Sequence, residues 1–367
     1  MKIKCNRTAL YEAVQLASSI VPTRTPKPIL QCAKIQADKQ EQKLTITATD
    51  NEIMIKYVVS QVQVDVAGAA VVPAEKIASI LHEGADETID LEVGDSTCQV
   101  VGKDSRFRIF GHDPDDFPVI GEVQKEYVMQ ISSPMLKRMI HMTSFAAARE
   151  NTRYAINGVL LEQRDKQLRM VATDGRRLAL IDGGVTPSVA DSEQTAIVPA
   201  KAWIVIDKIL QDPEEKIQIS FSGNQMTACT ARAEITCNLV QGRFPKYNDV
   251  IPSGCNKKAV LEAEVFRSAV RRAALLSTEQ SRGILLSFSQ EKLCLSSSTP
   301  ETGEVEINMS VHYTGDDIQI GFNPLYLSEA LRVIEEPEVI FEFIEANNPG
   351  LLSIGKDFRY VIMPVTV

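Results

Sequence analysis

The stretch KLTITATDNEI (43–53) decides the fold, because it occurs again as QLRMVATDGRR (167–177) and, more weakly, as KLCLSSSTPET (292–302). Working outward, VVPAEKIASIL (71–81) returns as IVPAKAWIVIDKIL (197–210) and as IGFNPLYLSEALRVI (320–334). Phe117-Pro118 returns as Phe244-Pro245. The 367 residues therefore divide into three units of about 122 residues. A period this long means three similar domains, not a solenoid of short repeats.

Each unit carries one pattern. An amphipathic helix comes early, over 8–20, 134–148 and 263–276, with Val265, Phe266, Ala269, Val270 and Ala273 at helical spacing in the last. Short alternating runs such as 43–47 follow and read as strands. A second helix starts at V-P-A or F-N-P, where Pro73 and Pro199 suit a first helical turn that needs no N–H. Further strands close the unit, over 89–93, 97–101 and 107–110 in the first and 217–221, 227–230 and 235–240 in the second. The expected class is α+β, with two helices and antiparallel sheets per domain. The expected limits are 1–124, 125–255 and 256–367, with joins in the polar stretches 122–126 and 253–258.

Composition narrows the function. Apolar residues make up 44% and charged residues 24%, as in folded soluble domains. No apolar run reaches the length of a membrane span, and MKIKCNRTALYEAV lacks the features of a signal peptide, so a cytoplasmic location is expected. The seven cysteines are scattered without any C-x2-C and read as reduced, mostly buried thiols. The four histidines stand singly, and no phosphate-binding glycine loop or nucleophile elbow occurs. No catalytic residue, metal or cofactor is expected. Asp50 and Asp174 read as turn residues at strand ends, and the acidic run 113–116 reads as a solvated turn. The net charge of −9 opposes tight non-specific DNA binding across the whole surface, yet allows one basic face. Basic residues do collect on the helices: Arg7 near the first, Lys137, Arg138 and Arg149 by the third, and Arg267, Arg271 and Arg272 on the fifth.

TRYAINGVLLE (152–162), VATDGRRLA (171–179), GRFPKYNDVIP (242–252) and the terminal YVIMPVTV (360–367) together resemble the bacterial DNA polymerase III beta subunit family, the DNA sliding clamps. The resemblance spans the whole chain. It implies a head-to-tail homodimer of three-domain protomers closed into a ring around duplex DNA. Size agrees with that stoichiometry. A 122-residue domain is roughly 35 Å across, so three in a triangle leave a hole of only about 6 Å, whereas six leave about 35 Å.

The resemblance also implies site residues. DNA-facing positions are Arg24, Lys76, Arg153, Tyr154 and Lys201, to which helix position adds Arg138, Arg271 and Arg272. A hydrophobic cleft for short peptide motifs of the polymerase III alpha subunit, the clamp loader, other polymerases and repair proteins falls on Arg153, Ile156, Thr173, Gly175, Arg176, Arg177, Leu178, Pro245, Val250, Asn323, Tyr326, Val361, Met363, Pro364 and Val365. In this reading Gly175 admits a close peptide backbone. The dimer contact sets Lys76, Ile80, Phe107 and Ile109 against Leu275, Leu276, Glu301, Glu304 and Glu306 of a second copy. Three departures bear on peptide preference: Arg176 where the family often has histidine, Asp249 where a basic residue occurs, and a Val-Thr-Val tail in place of Met-Arg-Leu. Two other readings stay open at this point: a repeat-domain enzyme with Asp50 and Asp174 as relics of catalysis, and a scaffold that never meets DNA.

Overall fold

The computed structural model describes residues 1–94, 97–118, 127–149, 155–188, 193–277, 283–299 and 303–366. Six α-helices occur among them: α1 (Arg7–Ser18), α2 (Ala74–Glu83), α3 (Ser133–Thr143), α4 (Ala200–Ile209), α5 (Ala263–Ala273) and α6 (Pro324–Val333). All other regular structure among these residues is antiparallel β or short 3-10 turns. Asn6 and Asn323 cap α1 and α6 by accepting from Ala9 N–H and Leu325 N–H, each at 3.0 Å. Pro324 opens α6 as expected. Pro73 and Pro199 do not lie in the first helical turn; each ends a strand, paired with Cys32 and Gly158 respectively. Both strands are the end strands of their sheets, where a missing N–H costs no ladder bond.

The chain forms two compact units. The first holds Met1–Ser133, Thr186–Val189 and Lys201–Leu239. Its larger sheet has nine strands, in which strands of the middle repeat (ending with Ala233–Asn238) pair with strands of the first (beginning with Ile53–Val59). Its five-stranded sheet ends on Arg106–Phe110. α1 and α2 pack together in this unit, with Leu10, Val14 and Ile77 fully buried.

The second unit holds Pro134–Val185, Ala190–Ala200 and Val240–Val367. Its nine-stranded sheet joins the middle repeat to the last through Arg177–Gly184 and Phe358–Ile362. Its four-stranded sheet ends on Gly303–Ser310. An aromatic core of Phe266, Phe288, Phe322, Phe341 and Phe343 fills it, with ring centroids 4.4–6.4 Å apart. The middle repeat thus lends α3 to one unit and α4 to the other, and its strands to both nine-stranded sheets.

The repeat is legible at atomic detail in the ATD turns. Thr49 Oγ1 donates to Ile53 O, and Asp50 Oδ1 accepts from Glu52 N–H and Ile53 N–H. Thr173 Oγ1 donates to Arg177 O, and Asp174 Oδ1 accepts from Arg176 N–H and Arg177 N–H. Asn51 and Gly175 occupy the same left-handed position, with φ of 75° and 86°. The carboxylates are therefore turn builders, as the sequence indicated. Asp113 likewise caps a 3-10 turn by accepting from Asp115 N–H.

Five cysteines are buried, and Cys255 and Cys294 are half-buried. Burial pushes the thiols of Cys5 and Cys237 up to about 12 and those of Cys32 and Cys98 up to about 11. These groups hold their protons more tightly folded than unfolded. They leave stability unchanged below the ordinary value of 9.0 and lower it as pH rises from there through 12. A thiol reagent at about pH 8 is expected to titrate at most Cys255 and Cys294 in the native protein and all seven after unfolding. Rapid native labelling of Cys5 or Cys237 would contradict this packing.

Candidate functional site

The site lies in the second unit, where strand Arg177–Gly184 pairs with Gln167–Thr173 on one side and Phe358–Ile362 on the other. Strand alternation brings Leu160, Val171, Leu178, Leu180 and Val361 to one face, with Leu178 directly opposite Val361. Ala155, Ile197, Tyr247 and Leu351 complete this apolar cluster, and Val240, Phe244 and Ile251 pack at its margin. Around it Met363 is 41% and Val250 47% exposed, while Pro245, Tyr326, Pro364 and Val365 are half-buried. Ile156 and Thr173 are buried. The result is a buried apolar floor with exposed edges at Met363 and Val250.

An ionic frame holds this floor. Arg177 is only 7% exposed. Its Nε donates to Asp174 at 3.0 Å, one terminal nitrogen donates to Glu329 of α6, and the other donates to Phe145 O at 2.9 Å. The guanidinium lies 4.5 Å from the Tyr326 ring centroid and 5.5 Å from that of Phe145. Burial opposes its charge, yet Tyr360, Glu329 and Asp174 raise its pKa, so it stays cationic. The tail is stitched down beside it, as Met363 N–H donates to Arg176 O and Val365 N–H to Gly321 O, both at 2.9 Å. Asn323 is occupied as the cap of α6.

The structure thus brings most of the implied cleft residues to one place and changes the reading of several. Arg177 is frame, not exposed wall. Gly175 has open space around an added Cβ, so its left-handed turn is what favours glycine there, as it favours asparagine at position 51. Arg153 and Tyr154 lie outside the described residues. Tyr247, Phe145, Glu329 and Leu351 were missed. Tyr247 could have been found, since it closes the GRFPKY motif; Glu329 could not, because its partner is 152 residues away.

The basic candidates divide by partnership. Arg24, Lys76, Arg271 and Arg272 are exposed, with Arg271 3.7 Å from Glu264 and Arg272 Nε donating to Ser268 O at 3.4 Å. Lys201 is also exposed, and it donates to Asp50 and to Ile20 O. Arg138 is held by Glu336 at 2.5 Å. Arg7 and Arg267 are spent on the ends of neighbouring helices: Arg7 donates to Leu81 O and Asp86 O after α2, and Arg267 to Leu331 O and Ile334 O at the end of α6, at 2.5–2.8 Å. Of the dimer candidates, Phe107, Lys76, Glu304 and Glu306 are exposed, Ile80 and Leu276 are half-buried, and Leu275 is 79% exposed. Ile109 is buried in its own sheet, because it alternates inward, and Phe110 at 73% exposure presents itself instead. Glu301 lies outside the described residues. Among the described residues no cluster of three or more His, Cys, Asp or Glu could hold a metal, and no helix is long and apolar enough to cross a membrane.

The structure is thus a thrice-repeated α+β unit whose sheets run through the repeat boundaries, with an apolar floor at one of them. The N-terminal, central and C-terminal domains of the DNA polymerase III beta subunit match residues 1–121, 130–246 and 248–366. The chain is 33% identical over 368 residues to the beta sliding clamp of Pseudomonas putida and 31% identical over 370 to that of Escherichia coli, covering 100% of both chains in each case. The crystal structure of the Pseudomonas aeruginosa sliding clamp bound to griselimycin matches with a TM-score of 0.92 at 32% identity, again over 100% of both chains. The chain belongs to the bacterial DNA polymerase III beta subunit family, the beta sliding clamps.

Proposed function

We propose that two copies of this chain close head to tail into a ring around duplex DNA, and that the ring tethers replication and repair proteins without catalysing a reaction or holding a cofactor. The observation that carries this reading is a pair of sheet edges, Arg106–Phe110 and Gly303–Ser310, each the last strand of its sheet among the described residues. The chain closes the equivalent junction twice internally, at Ala233–Asn238 with Ile53–Val59 and at Phe358–Ile362 with Arg177–Gly184. A third junction of the same kind needs a second copy. Exposed edges of this length otherwise invite uncontrolled pairing.

The first internal junction supplies a register. The connection before Ala233–Asn238 closes with Thr230 N–H on Ala233 O at 2.8 Å, and the one before Arg106–Phe110 closes with Gly102 N–H on Ser105 O at 2.9 Å. Arg106 therefore corresponds to Glu234 and Arg108 to Thr236. On the other edge, Glu306 faces Ser296 as Lys56 faces Thr47, and Glu304 faces Ser298 as Met54 faces Thr49. Inside the chain Glu234 lies opposite Lys56, with an ion pair at 3.5 Å. Between copies, the same register sets Arg106 opposite Glu306 and Arg108 opposite Glu304. The charges are complementary, with their signs reversed. Phe107 would meet Val305 between them, and Leu275 would add apolar area.

Duplex DNA would be met by phosphate contacts alone, from exposed cations such as Arg24, Lys76, Arg271 and Arg272, without base readout. Such contacts are weak and salt-sensitive, so they permit sliding, while topology prevents escape. The cleft around Leu178, Val361 and Met363 would take short peptide segments of the polymerase III alpha subunit, the clamp loader, other polymerases and repair proteins, and is the place proposed for griselimycin in this chain. Exposed Arg176 and Asp249 beside it would tune partner choice by charge.

Loaded rings are expected to stay on nicked circular DNA and to run off linear DNA of equal length within minutes. Blocking the linear ends should restore retention. Equal retention on open linear and circular DNA would overturn encirclement.

A further inference from the structure

The geometry points to Tyr247 as the positioning residue that fastens the 244–251 side of the peptide cleft to its floor; this rests on the cleft reading above. One face of the second unit's large sheet has two halves. The apolar half carries Leu160, Val171, Leu178 and Val361. Continuing along the same strands by steps of two, the face becomes a charged ladder of Glu162, Arg169, Asp182 and Arg359. Glu162 stands opposite Arg169 and Arg169 opposite Asp182. Arg169 holds Asp182 with two bonds of 2.7 and 2.9 Å, and Arg359 lies 3.7 Å from the same carboxylate.

Tyr247 lies across the boundary between the halves. It is the one buried residue of the 3-10 turn Tyr247–Val250, while Asn248, Asp249 and Val250 are exposed. Its ring belongs to the apolar cluster and meets Phe244 edge-on at 6.4 Å. Its hydroxyl donates to Glu162, and Arg169 donates to that hydroxyl at 3.5 Å. Besides these, the backbone bond from Asp249 N–H to Lys246 O closes the turn only on itself. Pro245 and Val250, two cleft residues, flank this anchor by two and three positions. A ring alone could slide over an apolar floor; a hydroxyl set into a charge ladder fixes register. Losing that bond should let the 244–251 segment swing, so bound peptide would leave faster while the floor itself is untouched.

The test compares wild type with Tyr247→Phe, which keeps the ring and its packing. Griselimycin binding is followed by surface plasmon resonance, with amide exchange of residues 246–251 and thermal melts measured in parallel. Griselimycin should dissociate about fivefold faster from Y247F, and those amides should exchange faster, with the association rate and melting temperature nearly unchanged. A merely structural tyrosine would lower the melting temperature and leave the dissociation rate alone, and that result overturns the inference. Wild-type binding with an identical dissociation rate in Y247F defeats this inference alone. A wild-type chain that fails to bind griselimycin defeats the cleft reading and this inference with it.

Discussion

Reversing Arg106 and Arg108 to glutamate should convert the dimer to folded monomers at micromolar concentration. In the proposed register each substitution sets two carboxylates face to face, the new one at position 106 against Glu306 and the new one at position 108 against Glu304. Like-charge juxtaposition of this kind costs several kcal/mol. The dimer dissociation constant should rise at least about a hundredfold, as measured by sedimentation equilibrium. The informative control is the reciprocal chain, Glu304→Lys with Glu306→Lys, which should be monomeric alone for the same reason. Mixing the two variants should restore both junctions, one with the wild-type Arg–Glu pairing and one with the charges exchanged, and give a heterodimer that closes. All four positions are exposed in the single chain, so neither variant should lose stability. If both variants remain dimers, the edge pairing is wrong. If the single variants dissociate but the mixture stays monomeric, the edges are right and the register is not.

Replacing Arg177 by methionine should be the most damaging single change in the second unit. Arg177 is buried against two carboxylates, with Asp174 and Glu329 themselves only 18% and 16% exposed. Removing the cation strands both, and breaking a buried pair in this way costs about 3–5 kcal/mol. The melting temperature should fall by roughly 10 °C for a unit of this size. Tyr326 would lose the cation at its ring and α6 its tie to the Asp174 turn. Griselimycin affinity should therefore fall by at least about tenfold, beyond the stability loss. Adding Glu329→Gln to R177M should recover part of the stability, because the second variant removes one stranded charge; the double-mutant cycle reads the coupling directly. An R177M chain as stable as wild type would mean that the frame does not hold the cleft.

The two sets of experiments separate the two activities of a clamp. The charge reversals leave the apolar floor intact, so monomers should still bind griselimycin. R177M leaves the sheet edges intact, so it should still dimerise at temperatures where it is folded. A clamp that needs closure for DNA retention and the cleft for recruitment should therefore lose each property independently.

Much of this was legible in the chain before any coordinates. The threefold repeat and the α+β alternation show in the residue pattern itself, and the Thr-Asp turns depend on bonds that reach no further than four residues, as between Thr173 and Arg177. Local chemistry of that kind repeats wherever the residues repeat, and helical or alternating periodicity places each element. Cleft residues such as Leu178 and Val361 came from whole-chain likeness, not from periodicity, because a buried leucine in a cleft floor and one in a core have the same neighbours in sequence.

The sequence by itself determined the number, kind and order of elements and the existence of three equivalent units. Only the tertiary structure decided which strands of different units pair, which arginines are free, and which way single side chains face. Arg7, Arg138, Arg177 and Arg267 look alike on paper, yet each is committed to a partner, from 74 to 198 residues away in the case of Arg7, Arg138 and Arg177. Ile109 and Phe110 are neighbours that differ only in the face of the sheet each one takes. The physical reason is range: secondary structure is settled by contacts within a few residues, whereas ion pairing, burial and sheet register depend on where distant segments come to rest.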